Sequence, residues 1–238
     1  MSEAMIRVRE LCKAYQRGGE TLQVLDRLDL DMDEGGFYAL MGPSGSGKTT
    51  LLNMVGGLDH PDSGHVYVSG EDLGALDGAD LAHWRAENVG FVFQGFNLIP
   101  VLTAFENVEL PLMLAPLSKR QRREHAEYAL ELVGMADRAR HRPKQLSGGQ
   151  EQRVAIARAV VSDAKLILAD EPTGDLDRDS ADQVLELLAR LNREFKKTIL
   201  MVTHDPHAAV RARNIVRLDK GKLGSLEANT PSASGAGA

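Results

Sequence analysis

Eight consecutive residues have the composition and spacing needed to bind a polyphosphate. They follow the pattern G-x-x-x-x-G-K-[ST] and comprise Gly42, Pro43, Ser44, Gly45, Ser46, Gly47, Lys48 and Thr49. The glycines let backbone N–H groups turn toward an anion, and the positive end of a following helix points at the same anion. The Lys48 ammonium can reach the outer phosphates, and the Thr49 hydroxyl can ligate Mg²⁺. We therefore predict a phosphate-binding loop.

The residues on either side of this loop support the prediction. Phe37–Met41 is a short apolar run that predicts a buried strand, and Thr50 opens a run that predicts a helix. The order strand, loop, helix is the context that the pattern requires. The alternative is an accidental match in a Gly-rich turn, and the flanking elements argue against it.

Two adjacent carboxylates follow another apolar run. Residues 166–169 predict a buried strand, and Asp170 and Glu171 come directly after it. A carboxylate at the carboxyl edge of a parallel sheet faces the nucleotide crevice. Asp170 would hold Mg²⁺ there, and Glu171 would accept a proton from the attacking water. Taken alone, the pair is more typical of two solvated charges that cap a strand, but beside a phosphate loop the catalytic interpretation is favoured.

A third motif, Ser147-Gly148-Gly149-Gln150, opens a strongly helix-forming run. Ser147 lies where a helix N-cap is expected, and Gly149 exposes a backbone N–H at the helix mouth. We predict a second anion site here, separate from the first. Ser147 and Gln150 also have the spacing of a capping box, so a purely structural role stays open for each.

The elements that must position these motifs follow from the apolar patterns. Period-two alternation near 6–8 and 28–33 predicts half-exposed antiparallel strands separated by a polar loop at 16–23. Further strands are predicted at 65–68, 89–93, 199–202 and 215–218, and helices at 80–87 and 180–195. Alternating apolar strands and helices indicate a parallel sheet covered on both faces.

The region 94–164 is predicted to be helical. Thr103 with Glu106 and Ser118 with Gln121 have capping-box spacing, and several prolines divide the chain between them. We predict an α/β fold with a core at 1–93 and 165–227, an N-terminal antiparallel β subdomain, and an inserted α-helical subdomain at 94–164. The small polar residues of 228–238 predict a disordered tail.

The composition excludes several classes of protein. The chain has 238 residues and a net charge of −6, which argues against a nucleic-acid partner. The lone cysteine, Cys12, can form neither an internal disulfide nor a cysteine metal site, which indicates a reducing compartment. The sequence predicts no signal peptide and no transmembrane helix. We expect a cytosolic protein that is soluble or peripheral to the membrane.

Together, the three motifs resemble those of the ATP-binding cassette (ABC) superfamily over residues 5–223. Leu146-Ser147-Gly148-Gly149-Gln150 is similar to the signature sequence of that superfamily. The resemblance implies a P-loop NTPase (RecA-like) core that hydrolyses ATP with Mg²⁺. It also implies a homodimer in which Ser147 and Gly149 of one copy contact the γ-phosphate bound to the other.

The resemblance implies roles for four further residues. Tyr15 matches the aromatic residue that stacks on adenine, and Gln94 matches the Q-loop glutamine that contacts Mg²⁺ and the attacking water. Asp177 matches the D-loop aspartate, and His204 matches the switch histidine that holds the γ-phosphate. The implied catalytic residues are therefore Lys48, Gln94, Glu171 and His204, and the implied metal ligands are Thr49, Gln94 and Asp170.

A narrower resemblance involves residues 90–100, 103–111 and 170–174. These are similar to the ATPases of macrolide exporters and lipoprotein-release systems, which work with membrane permeases that have large extracytoplasmic domains. This implies a peripheral position on the cytoplasmic face of the inner (plasma) membrane, with the coupling surface around 96–110. The chain departs from that branch at Asp175, where the branch generally has Asn, and the extra carboxylate adds negative charge near Asp177.

Two other functions are open at this point. A regulatory ATPase that controls an extracytoplasmic hydrolase through its permease, without transport, would have the same motifs. A soluble ABC ATPase that acts on nucleic acid or ribosomes is disfavoured, because such proteins usually have two cassettes, a long coiled coil or zinc cysteines.

Overall fold

The structure is a computed structural model that describes residues 4–229, the side chain of Arg17 excepted. Its strands are β1 (Ala4–Arg17), β2 (Glu20–Asp33), β3 (Phe37–Met41), β4 (Ser63–Val68), β5 (Glu71–Asp72), β6 (Val89–Phe93), β7 (Leu166–Asp170), β8 (Thr198–Val202), β9 (Asn214–Asp219) and β10 (Lys222–Ala228). Its α-helices are α1 (Lys48–Val55), α2 (Gly78–Asn88), α3 (Ala104–Glu109), α4 (Lys119–Leu132), α5 (Gly148–Val160), α6 (Arg178–Phe195) and α7 (Pro206–Ala209). Short 3₁₀ helices lie at Leu73–Ala75, Leu110–Leu114, Ala136–Arg138 and Pro143–Gln145.

The strands form two sheets. A four-stranded antiparallel sheet has the order β2-β1-β4-β5, and a six-stranded sheet has the order β10-β9-β3-β8-β7-β6. In the larger sheet, β9, β3, β8, β7 and β6 are parallel, and only the edge strand β10 is antiparallel to its neighbour. The predicted α/β class with an N-terminal antiparallel sheet is confirmed.

The two faces of the parallel sheet have separate cores. In β3, Phe37 and Ala39 pack with α3–α6, whereas Tyr38 and Leu40 pack with α1 and the inner face of β1 and β2. Strands β7 and β8 alternate in the same way. Since successive side chains of a strand point to opposite faces, a strand buried on both faces must be apolar throughout. This explains the uninterrupted apolar runs of the sequence.

The helices of the region 94–164 begin where their capping residues predict. The Thr103 hydroxyl caps α3, the Ser118 hydroxyl caps α4, and in each case the side chain three residues later returns a bond to the cap backbone. Helices α3, α4 and α5 all lie within 94–164. The division of the chain into subdomains at these bounds stays a prediction.

Two segments that the sequence predicts to be loop or tail form backbone pairs in the structure. The predicted loop at 16–23 is a two-residue turn at Gly18 and Gly19, with β1 and β2 paired up to Arg17 and Glu20. At the other end, Ala228 pairs with Asn214 in the β10–β9 hairpin, and the Asn229 amide bonds to Arg213, so these two residues are not part of a disordered tail. Local polarity suggested loops, but pairing with a neighbouring strand satisfies the backbone in both places. The rest of the predicted tail, 230–238, lies outside the described residues.

Within residues 4–229, none of the helices combines the length and the apolar composition that a membrane span requires.

A buried amide joins α6 to the sheet, and its loss tests the packing of this region. The Asn192 side chain, 4% exposed, donates to the carbonyls of Gly35 and Lys197 at 2.9 and 2.8 Å. We expect Asn192→Ala to leave both carbonyls unpaired and to lower the free energy of unfolding by about 1–3 kcal/mol in urea denaturation. The control Glu194→Ala removes an exposed partner of Arg190 on the same helix, and should cost less than about 0.5 kcal/mol. Equal effects of the two substitutions would show that Asn192 does not anchor α6.

Candidate functional site

The phosphate-binding loop has the backbone shape that its sequence predicts. Gly45 and Gly47 have φ values of 78° and 98°, in the left-handed region that glycine adopts without strain. A Cβ on Gly47 would also lie 2.8 Å from the Val24 carbonyl of β2. Gly42 is packed even more closely, since a Cβ there would lie 2.3 Å from the Leu218 carbonyl of β9. The loop is therefore fitted between two strands, with no room for a side chain at Gly42 or Gly47.

Helix α1 begins at Lys48 with its first amides open. Its N-cap is Gly47, which has no side chain to cap the helix, and no acidic residue lies in the first turn. Unpaired N–H groups and the helix dipole together favour an anion at this position. Within the loop, the Lys48 ammonium donates to the carbonyls of Gly42 and Pro43, both at 2.9 Å. These bonds place a positive charge across the mouth of the loop.

Asp170 ends β7 beside the loop. Its Oδ1 accepts a hydrogen bond of 3.4 Å from the Thr49 hydroxyl. Burial raises the pKa of Asp170, and the Thr49 hydroxyl opposes this with a smaller effect. A half-buried carboxylate whose protein partner is this distant fits a cation, and the two oxygens are the hard donors that Mg²⁺ prefers. The predicted metal ligands Thr49 and Asp170 are thus brought together.

Glu171 and His204 face each other across the ends of β7 and β8. The Glu171 Oε1 and His204 Nδ1 atoms lie 2.9 Å apart, and this bond raises the pKa of His204. Glu171 has a φ of 48°, which is uncommon outside glycine, and its N–H bonds to the Val202 carbonyl at 3.0 Å. The strained backbone turns the carboxylate of Glu171 out of the strand direction and toward the neighbouring loop.

Gln94 follows β6 at the same sheet edge and contacts Asp175. Its Nε2 donates to the Asp175 carboxylate at 2.6 Å. The side chain passes so close to Gly174 that a Cβ there would lie 2.9 Å from the Gln94 Cδ. Asp175 is therefore the partner of the predicted Q-loop glutamine. It is the residue at which the chain departs from the macrolide-exporter and lipoprotein-release branch. Because a carboxylate only accepts, this contact turns the Gln94 oxygen away from Asp175.

A buried glutamine that the motifs did not single out connects these loops to α5. Gln152 is fully buried, and its Nε2 donates to the carbonyls of Phe93 and Pro172 at 3.2 and 2.5 Å. These carbonyls lie one residue from Gln94 and one residue from Glu171. The available signal was a polar residue in line with Ala155, Ile156 and Ala159 on the apolar face of a helix.

The signature residues lie apart from the phosphate loop. The Ser147 hydroxyl accepts from the Gln150 N–H at 3.3 Å and the Gln150 side chain accepts from the Ser147 N–H at 3.0 Å, so the predicted capping box at the start of α5 is confirmed. In the described part of the chain, the hydrogen bonds of both residues stay within this helix end. Gly149 packs against Ser180, where a Cβ would meet the Ser180 side chain at 2.8 Å.

Asp177 caps helix α6 and bonds to Ser180, the residue that packs against Gly149 of the signature motif. Its carboxylate accepts from the N–H and the hydroxyl of Ser180 at 2.9 and 2.7 Å, and the Ser180 N–H lowers its pKa. A cavity of 290 Å³ is lined by Ser147, Gly149 and Ser180 together with Arg138 and Arg153, and by Asp137, which lies 3.2 Å from Arg138. This second cluster presents donors and cations but does not include the phosphate loop.

Tyr15 lies near the end of β1 in the antiparallel sheet and is 39% exposed. Its hydroxyl donates to Asp59 at 2.7 Å, and the Lys13 ammonium lies 5.2 Å from the ring centroid. Sequence reasoning missed both partners, because they are 44 and 2 residues away and neither belongs to a motif. The geometry shows an exposed aromatic ring, and its contact with adenine stays a prediction.

The comparisons with known proteins agree with this geometry. Residues 25–174 match the family model described as "ABC transporter". An uncharacterized ABC transporter ATP-binding protein, YknY of Bacillus subtilis, is 48% identical over 219 residues, which cover 92% of this chain and 95% of that protein. The lipoprotein-releasing system ATP-binding protein LolD of Idiomarina loihiensis is 43% identical and covers 94% of this chain and 98% of its own.

A longer relative and a solved structure are also similar. The macrolide export ATP-binding/permease protein MacB of Bradyrhizobium diazoefficiens is 48% identical over 93% of this chain, but the chain spans only 34% of that protein. The ATP-binding cassette MJ0796 of Methanocaldococcus jannaschii was solved as a dimer in a post-hydrolysis state bound to ADP and Pi. It has a TM-score of 0.87 and 43% identity, covering 95% of this chain and 99% of that one. On the family match, the relatives and the fold together, the chain belongs to the ABC transporter family as an ATP-hydrolysing cassette.

Proposed function

We propose that two copies of the chain bind and hydrolyse ATP between them and thereby drive a membrane permease. The observation that carries this proposal is the meeting of four loops at one sheet edge. The phosphate loop follows β3, His204 follows β8, Glu171 follows β7 and Gln94 follows β6, and these four strands are parallel neighbours. This is the crevice in which open α/β sheets bind ligands.

The residues of this crevice have complementary roles in the proposed reaction. Glu171 orients the attacking water and accepts its proton, and Lys48 neutralises charge that develops on the outer phosphates. With Nδ1 held by Glu171, the His204 Nε2 is free for the γ-phosphate, and the raised pKa favours a proton there. Thr49, Asp170 and the Gln94 oxygen would hold Mg²⁺, which would offset the negative charge of the phosphates.

The signature cluster supports a site shared by two copies. Its donors at Ser147 and Gly149 and its cations at Arg138 and Arg153 have no phosphate loop of their own beside them. A head-to-tail dimer would place them on the γ-phosphate held by the other copy, and the related cassette MJ0796 was solved as a dimer. Because the γ-phosphate gains these ligands only in the closed state, ATP favours closure and hydrolysis favours opening.

The permease surface is proposed near Gln94. Val101 and Ile99 are 73% and 41% exposed, whereas Leu98 packs against the core of the helical region. Apolar side chains that follow the Q-loop and remain in solvent fit a helix contributed by the permease. Such a contact would hold the chain at the cytoplasmic face of the inner (plasma) membrane through its partner. The relatives MacB and LolD support a macrolide-export or lipoprotein-release type of complex.

Removing the negative charge of Glu171 tests its role as the base. We expect Glu171→Gln to abolish ATP hydrolysis, retain ATP binding and accumulate an ATP-bound dimer, since Gln keeps an acceptor for His204 but cannot take a proton. Phosphate release, ATP binding and light scattering measure the three effects. Glu34→Gln, an exposed carboxylate that precedes β3 at the opposite sheet edge, should behave as the wild type. Hydrolysis at an undiminished rate in Glu171→Gln would remove this residue from the mechanism.

Blocking the signature cluster tests the shared site. We expect Ser147→Arg to lose hydrolysis while each monomer still binds ATP, because the bulky cation excludes the partner's γ-phosphate. The substitution also removes a helix cap, which costs about 1 kcal/mol of stability. Ser118→Arg is the matched control, since Ser118 caps α4 with the same geometry away from the crevice. It should show the same loss of stability with normal hydrolysis, and equal loss of activity in both variants would point to folding rather than to a shared site.

A further inference from the structure

The Tyr15 ring is held by a network that no motif contains. Its hydroxyl donates to Asp59 Oδ2 at 2.7 Å, and the other oxygen of Asp59 accepts from the Lys13 ammonium at 2.9 Å. Asp59 also accepts from the His60 N–H at 2.7 Å. The Asp59 carboxylate is therefore held by a cation and by a backbone N–H in addition to the Tyr15 phenol. Such a partner holds the ring in one orientation.

Lys13 is nearly buried and its position is fixed. The residue is 8% exposed. Its ammonium donates to the His60 carbonyl at 2.7 Å and lies 3.6 Å from the Asp62 carboxylate. Burial would lower the pKa of Lys13, but the hydrogen bond and charge of Asp59 outweigh it and the pKa is raised. The same ammonium lies over the Tyr15 ring at 5.2 Å from its centroid. A charged group thus covers one face of the ring.

The network lies close to the phosphate loop. Lys13 pairs with Leu25 across the β1–β2 ladder, and the Leu25 side chain packs so near Gly47 that a Cβ there would lie 2.8 Å from it. Asp59 follows α1, the helix that the loop opens. The Thr50 hydroxyl of α1 also acts on the Tyr15 phenol and lowers its pKa, against larger effects of burial and Asp59. The carboxylate that anchors the ring therefore belongs to the segment that follows the helix that faces the phosphates.

We propose that Asp59, itself held by Lys13, is a positioning residue that fixes the Tyr15 ring as a preformed platform for the adenine base. This inference rests on the proposed function, and specifically on the stacking of Tyr15. One face of the ring lies under Lys13, so the remaining exposed surface is available for a base. Because stacking tolerates any base, the network would increase the affinity for any nucleotide relative to a phosphate compound that has no base. A ring that is already held in position loses less conformational freedom when the base binds, and this strengthens binding.

The test compares a nucleotide with a probe that lacks the base. ADP and inorganic pyrophosphate, each with Mg²⁺, are titrated calorimetrically into the full chain, and neither is hydrolysed to an extent that disturbs the titration. We expect Tyr15→Phe, which keeps the ring and removes the anchor, to bind ADP about threefold to tenfold more weakly. Tyr15→Ala should lose about tenfold to a hundredfold. Pyrophosphate binding should be unchanged in both, which also shows that the variants are folded.

Variants of the acceptor test Asp59 directly. Asp59→Ala should weaken ADP binding as much as Tyr15→Phe. Asp59→Asn should recover most of the affinity, because its oxygen can accept from Lys13 while its NH2 group donates to the phenol oxygen. The double variant of Tyr15→Phe and Asp59→Ala should be no weaker than either single variant, since both remove the same bond. Tyr128→Phe changes an exposed tyrosine of α4 and should have no effect.

Several outcomes would overturn the proposal, and they are distinguishable. Wild-type ADP affinity in Tyr15→Phe, with a loss in Tyr15→Ala, would keep the stacking and reject the anchor. Wild-type affinity in both would reject the stacking itself. A parallel loss of pyrophosphate binding would show that the effect does not act through the base. Failure of the wild-type chain to bind ADP at all would contradict the proposed function rather than the platform.

Discussion

The stabilisation of a triphosphate requires several donors and cations at one point, and the parallel order of β3, β8, β7 and β6 provides that point. Parallel neighbours end at the same sheet edge, so residues far apart in the chain meet there without any local contact in sequence. In the proposed site, Lys48 would supply the cation, and Asp170 and Thr49 would supply hard oxygens. Glu171 would accept the proton, and His204 would donate a hydrogen bond to the γ-phosphate. The apolar strands are buried on both faces, which keeps this edge rigid.

A single copy has only part of the proposed site. The phosphate loop and the signature cluster lie on different elements, and each has polar groups that a phosphate would satisfy. Gln152 connects the helix that begins at the signature residues to the loops of Gln94 and Glu171, because it lies on α5 and bonds to the carbonyls next to those two residues. A movement of α5 that follows contact with the partner copy's γ-phosphate would therefore be transmitted to both catalytic loops. In the proposed mechanism, this contact would link closure of the dimer to the position of Glu171.

The sequence predicts local structure well and distant side-chain pairs poorly, and the reason is physical. The phosphate loop, β3, the capping boxes of α3, α4 and α5, and the strand before Asp170 depend on residues within a few positions of each other. By contrast, the Gln94–Asp175 and Tyr15–Asp59 contacts join residues 81 and 44 positions apart. No spacing encodes them, since they follow from the way that two sheets and a helix pack. The predictions of a loop near Gln16 and of a tail that includes Asn229 are wrong for the same reason, because backbone pairing with another strand overrides local polarity.

Mixing two inactive variants tests the shared site most directly. Lys48→Ala removes the cation of the phosphate loop, and Ser147→Arg blocks the signature cluster, so neither homodimer has an intact site. In a mixed dimer, the loop of the Ser147→Arg copy faces the signature of the Lys48→Ala copy, and one complete site forms. We expect an equimolar mixture to regain up to about a quarter of the wild-type rate of ATP hydrolysis, since half of the dimers would have one of two sites. A mixture as inactive as its components, despite dimer formation, would contradict the shared site.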